Sequence, residues 1–191
     1  MNVQSDKRES ILASALELIQ QNGFHGTPMS LLAREAGVAT GTIYHYFASK
    51  DELILALYIH IRDQIMAAMF NPEYDQYDFK TQFFKRWTSL CRFFISNPSA
   101  LIFIEQYNSS PYAKVDGKYK TSPFMEKFNV FFQSGMDSGI LKPMAQGLIA
   151  SVSHGCIVAA SKFHISGRYD YTDEDICQIA GIIWDGIKIQ D

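Results

Sequence analysis

Positive charge is scarce in this sequence: 17 lysines and arginines stand against 20 aspartates and glutamates, for a formal net charge of −3 at pH 7. A chain that held nucleic acid through its bulk field would carry the opposite balance, so any such contact must depend on where individual donors sit. Cysteine is scarce too. Cys91, Cys156 and Cys177 are widely spaced with no CxxC, which excludes a zinc site and a disulfide framework and leaves buried apolar side chains or redox-sensitive thiols. A glycine-rich phosphate loop, HExxH, GxSxG and a paired-carboxylate motif are all missing, and His25, His45, His60, His154 and His164 lack metal-ligand spacing. No catalytic residue, metal or cofactor is therefore expected. The opening MNVQSDKRES is polar rather than a secretion signal, and no apolar run approaches the ~20 residues that cross a bilayer, so a cytoplasmic location without membrane contact is expected.

What remains is helical pattern, with 47% apolar residues to build a core. From Ser5 to Gln21, Ile11, Leu12, Ala15, Leu16, Leu18 and Ile19 recur at three- and four-residue spacing. Asn22-Gly23 ends that helix. Thr27 offers an N-cap before Pro28 for a second, short helix stopped by Gly37, and Thr40 offers one for a third that reaches Phe47. Ser49-Lys50-Asp51-Glu52 has the form of a capping box opening a long fourth helix to about Met69. Further helices follow over 78–96, 100–107, 123–135 and 143–166, and a last one is capped by Thr172; 109–122 reads as a loop. The expectation is an all-α chain of about nine helices, without a convincing strand pair or an internal repeat.

The stretch "GTIYHYF", 41–47, has an unusual composition for so short a helix. Ile43 and Phe47 fall on one side and face the helical cluster, while Gly41, Thr42 and His45 point away and Tyr44 and Tyr46 flank them. Rings with hydrogen-bonding tips, a hydroxyl and a glycine that permits close approach suit contact with something polar and anionic. Two short helices joined by the tight turn in "AREAGVAT" match the helix-turn-helix pattern, whose second helix enters the DNA major groove. Helix starts at Thr27, Thr40 and Ser49-Lys50 add directed N–H donors, and most protein–DNA hydrogen bonds go to phosphate and sugar.

Residues 8–58 resemble the DNA-binding domain of the tetracycline-repressor (TetR) family of bacterial transcriptional regulators, through "A..L....GF..T", "LAREAGV" and above all "GTIYHYFASKDEL". The resemblance implies that Thr27, Tyr46 and Lys50 bind phosphate, that Thr42 and Tyr44 lie at the DNA surface with Thr40 and Gly41, and that His45 contacts base or backbone. It implies a helix-turn-helix domain over 1–48, the fourth helix over 49–70 as connector, and a ligand-binding and dimerisation domain over 71–191. The partners so implied are a palindromic double-stranded operator, a small-molecule effector and a second copy of the chain. With only Lys7 and Arg8 near the N-terminus, flanked by Asp6 and Glu9, few phosphates should be neutralised per subunit.

Aromatic residues dominate the remainder. Phe83, Trp87, Cys91, Phe103, Tyr107, Phe128, Phe131 and His154 are the candidates for lining an effector cavity, although aromatics at helical spacing equally make plain core. Glu105, among apolar neighbours, would need a partner such as Arg92. Leu148, Ile149, Val152, Cys156, Ala159, Ala160 and Phe163, followed by Ile176, Ile179, Ala180, Ile183, Trp184 and Ile187, suit the last two helices to a dimer interface, or to packing within one subunit. The alternative is a helical small-molecule binding protein without DNA binding, which the acidic first 60 residues favour slightly.

Overall fold

A computed structural model describes residues 3–115 and 123–190. Among them are ten α-helices: α1 (Val3–Asn22), α2 (Met29–Glu35), α3 (Thr40–Tyr46), α4 (Lys50–Met69), α5 (Phe79–Ser96), α6 (Pro98–Asn108), α7 (Pro111–Val115), α8 (Pro123–Asp137), α9 (Gln146–Ile165) and α10 (Asp173–Ile187). A 3-10 helix, Pro72–Gln76, precedes α5. The described residues hold no strand, only an isolated antiparallel bridge between Leu141 and Lys188. The all-α expectation holds, with one helix more than expected, because Pro111 opens the short α7 inside the segment read as loop. The rest of that segment, 116–122, lies outside the described residues.

Local chemistry sets the helix starts. Ser49 Oγ accepts the Glu52 N–H at 3.1 Å, while the Glu52 carboxylate accepts the N–H of Ala48 at 2.8 Å, one residue before the position a standard capping box would use. Asp78 accepts from the Thr81 N–H at 3.0 Å to start α5. Thr172 and Asp175 form a complete capping box at α10. At α2 and α3 the caps are instead Pro28 and Ala39, neither with a side-chain bond, which corrects the assignment of Thr27 and Thr40 as caps. Helix α9 starts at Gln146 rather than Pro143, since the preceding strand-like turn is tied by Lys142 N–H donating to the Ile187 carbonyl at 2.9 Å.

The chain divides into two compact units, Met1–Asp63 with Ser99–Gly117, and Gln64–Pro98 with Lys118–Asp191. In the first, Ile11, Leu12, Leu32, Ile43, Phe47, Leu53, Ile54 and Leu57 are buried together. Helix α6 belongs to this unit through rings: Tyr58 stacks on Tyr107 at 3.9 Å, and Phe103 meets Phe24 edge-on at 5.8 Å. In the second, α5 is enclosed as its broad apolar arc demands, burying Phe83, Trp87, Leu90, Cys91 and Phe94. Phe83 lies 5.4 Å from Trp184, and Phe79 stacks on Phe131 at 4.6 Å. Gly135 of α8 permits that stack, because a Cβ there would come within 2.3 Å of the Phe79 ring. By length and mean hydropathy alone (1.4 and 1.3), Lys50–Gln76 and α9 could span a bilayer, although neither is an uninterrupted apolar run. Leu53, Ile54, Leu57, Ile61, Ile65 and Met69 of α4 are nevertheless buried against protein.

Candidate DNA-binding face and effector cavity

Helix α2 ends on Gly37, whose φ of +64° only glycine adopts without strain; the Val38 N–H bonds the Ala33 carbonyl at 2.9 Å and the Gly37 N–H the Arg34 carbonyl at 3.3 Å. That paired closure redirects the chain within four residues into α3. Ile43 and Phe47 are 0% and 1% exposed, which fixes the rotation of α3 on the cluster. Arg8 lies over the Phe47 ring at 5.3 Å, a contact that its place in the sequence did not suggest.

The opposite face is open. Thr40, Gly41, Tyr44 and His45 are exposed, Tyr44 by 50%, whereas Thr42 and Tyr46 are half-buried on the flank. Tyr44 is therefore more open, and Thr42 more covered, than helical projection suggested. His45 and Tyr46 meet edge-on at 5.5 Å, which restrains both rings. The acidic residues nearby are partly occupied: Glu52 is bound to the α4 start, and the Tyr112 hydroxyl hydrogen-bonds to Asp51, its pKa raised by burial and by that carboxylate's charge.

Two expected phosphate ligands stand elsewhere than expected. Thr27 is fully buried, and its hydroxyl donates to the carbonyls of Gly23 at 2.9 Å and Leu18 at 3.2 Å. It closes the C-terminus of α1 and is not offered to a phosphate, because the turn at Gly23 folds the chain back beneath that helix. The Lys50 ammonium is half-buried and donates to the Phe24 carbonyl, which leaves its other N–H groups for an outside acceptor. Thr27→Val should lower the thermal midpoint, since it strands buried carbonyls at a cost of about 1–3 kcal/mol, each kcal/mol worth about 2–4 °C in a chain of this size. A variant with weaker DNA binding and an unchanged midpoint would contradict this structural role.

In the second unit a cavity of about 360 Å³ opens between α5, α8 and α9. Trp87, Leu90, Phe124, Phe128, Ala150 and Ile157 supply most of its apolar wall, with Met69, Ser153 and His154. Trp87 and Ser153 are almost wholly buried, and the Trp87 Nε1–H and Ser153 Oγ have no hydrogen-bond partner among the described residues. Both atoms are sealed behind the chamber wall, which is itself largely apolar, as a site for an apolar ligand requires. Of the eight candidate lining residues, the cavity gathers Trp87, Phe128 and His154. Phe83 and Cys91 are packed core, the Cys91 thiol 3.8 Å from Ser161 Oγ with its pKa raised by burial. Phe131 faces a different cleft, and Phe103 and Tyr107 belong to the first unit's core. Arg92, offered as a partner for Glu105, bonds Asp173 at 2.8 Å. Of the other two cysteines, Cys156 is half-buried and Cys177 exposed, so burial does not describe all three.

The last two helices carry an uncovered apolar strip. Leu148, Val152 and Phe163 of α9 are 62%, 53% and 45% exposed, with Gly155 and Ala159 between them, and Ile182 of α10 is 72% exposed. Ile149, Ala160, Ile176, Ile183, Trp184 and Ile187, by contrast, are consumed by the subunit's own core. Ile182 went unnoticed in the sequence because it lies off the stripe that the buried residues define.

Residues 11–57 match the family described as bacterial regulatory proteins, tetR family, and residues 62–189 match the tetracyclin repressor-like C-terminal domain. An uncharacterised HTH-type transcriptional regulator of Haemophilus influenzae is 28% identical over 149 residues, 78% of either chain. The fatty acid metabolism regulator protein of Bacillus subtilis is 36% identical over 69 residues, 36% of each. Among solved structures, a TetR family transcription regulator from Marinobacter aquaeolei aligns over the whole of both chains with a TM-score of 0.89 and 21% identity. The transcriptional regulator FadR of Bacillus subtilis, in complex with stearoyl-CoA, aligns over 93% of this chain and 95% of its own with a TM-score of 0.67 and 18% identity.

Proposed function

The chain belongs to the tetR family of bacterial regulatory proteins, helix-turn-helix transcriptional regulators, and from that premise we propose that it is a cytoplasmic repressor released from its operator by a small, largely apolar ligand. The observation that carries this reading is α3: a seven-residue helix pinned by Ile43 and Phe47, with Tyr44, His45, Gly41 and Thr40 turned outward. Thr42, Tyr46 and the remaining N–H groups of Lys50 complete the contact set, and Thr27 is left out of it. Residues 1–48 bind DNA, 49–70 connect, and the rest of the chain, apart from 99–117 packed in the first unit, binds ligand and pairs subunits.

Two copies join through the α9 and α10 strip, and the two-fold axis makes the operator palindromic. The effector fills the cavity beside Trp87 and Phe128. Helix α4, which begins at Lys50 and ends with Met69 at the cavity wall, is the element through which occupancy reaches DNA. Release requires only that ligand prefer the subunit arrangement with misplaced α3 helices; a ~100-fold preference corresponds to about 2.7 kcal/mol. A small-molecule binding protein without DNA binding would share the cavity but would have no use for an outward Tyr44-His45 pair.

The cavity assignment is tested by Ala150→Phe. The new ring occupies the ligand's volume at a position already lining the chamber, so the variant should keep operator affinity and lose release by the compounds that stabilise the wild-type protein in a thermal-shift screen. Unchanged release would place the effector elsewhere.

A further inference from the structure

Arg86 is the only charged residue that is buried among the described residues, at 5% exposure. Its guanidinium lies against the rings of Phe70 and Phe131, 4.9 and 4.8 Å from their centroids. Nη1 donates to the Met69 carbonyl at 3.3 Å, and Nη2 to Gln82 Oε1 at 3.1 Å and Asp75 Oδ1 at 2.7 Å. The Nε–H is sealed from solvent and has no hydrogen-bond partner among the described residues. The side chains of the ion pair are unequally covered, Arg86 at 6% and Asp75 at 70%, and Asp75 rides on the five-residue 3-10 helix. A desolvated cation thus depends on a carboxylate that water can take back at little cost.

In front of this pair is a cleft of about 600 Å³, with Phe70, Pro72, Val130 and Phe131 as apolar walls and Lys127 on α8. It is separate from the cavity beside Trp87: α8 turns Pro123, Lys127, Val130 and Ser134 to the cleft, and Phe124 and Phe128 to the cavity. We propose that this cleft binds an organic monocarboxylate with a compact apolar body, the ligand's carboxylate replacing that of Asp75 on Arg86. An arginine placed only for structure would be matched by a buried partner, with no chamber before it. Burial pushes the Arg86 pKa down from its ordinary value, so a closer, dehydrated anion is what its surroundings favour. Asp75 and Glu126 on the rim set the charge limit, because they repel a dianionic phosphate more than a monocarboxylate.

The test is calorimetric titration of the full chain, without DNA, with benzoate, benzamide and inorganic phosphate. Benzoate should bind one per chain, with benzamide and phosphate ~10-fold weaker or more. Asp75→Asn removes the internal competitor from an exposed position and should tighten benzoate by up to ~5-fold, a gain that a purely structural pair cannot produce. Arg86→Met should abolish binding, and Ala150→Phe should leave it unchanged, which keeps this site distinct from the effector cavity. Undetectable benzoate binding, an Asp75→Asn variant that binds no tighter, or phosphate binding as well as benzoate would overturn the proposal.

Discussion

The double substitution Tyr44→Ala with His45→Ala is expected to weaken operator binding by at least ~100-fold with no loss of helical content or thermal stability. Both side chains are exposed on a helix held by Ile43 and Phe47, so removing them subtracts little packing. Each subunit loses two contacts, and two subunits engage one operator; contacts of about 1 kcal/mol or more apiece already exceed that factor. The loss should also divide by chemistry. Wherever a ring reads a base edge, discrimination at that operator position relaxes; wherever it meets phosphate, affinity falls for all sequences and the salt dependence becomes shallower by about one ion per contact. The wild-type salt dependence should itself be shallow, since the face carries hydroxyls and rings rather than a cluster of lysines. An operator affinity unchanged by the double substitution would remove α3 from the interface.

Ile182→Asp should dissociate the dimer and cost operator binding a comparable or larger factor. At 72% exposure Ile182 contributes little to its own subunit, so the substituted chain should fold as before. In a dimer, a carboxylate on each subunit would enter an apolar strip, unpaired and desolvated, beside its two-fold mate. Each helix-turn-helix unit would then bind its half-site alone, losing the effective concentration that linkage provides, often 10²–10⁴-fold. Sedimentation equilibrium reads the first effect and operator titration the second. A variant that remains dimeric would mean that another face joins the subunits.

Much of the first unit was legible because its determinants are local. The Gly37 closure, the Ser49–Glu52 cap and the burial of Ile43 and Phe47 follow from spacing and residue type within a few positions. Thr27 was misplaced because its partners, Leu18 and Gly23, are reached only after the chain folds back, and nothing in "GFHGT" distinguishes a hydroxyl closing a helix from one capping the next. The aromatic candidates divided for the same reason. Spacing puts Phe103 and Tyr107 on a helical face, but only the stack on Tyr58 assigns that face to the first unit rather than to the cavity. The Trp87 indole and the Arg86 guanidinium were equally hidden, since an unspent donor becomes visible only when every neighbour is in place. The α9 strip was legible in Leu148, Val152 and Phe163; its α10 counterpart was not, because most apolar residues of that helix face inward.

Regulation as proposed requires sequence-specific DNA recognition through α3. Selection of duplexes from a random pool at low salt, followed by titration of the enriched sequence with the intact chain and with the Tyr44→Ala, His45→Ala variant, tests that claim most directly. The expected result is an enriched inverted repeat bound by two chains, with affinity lost in the variant. Failure to enrich any sequence, or equal binding by the variant, would contradict it.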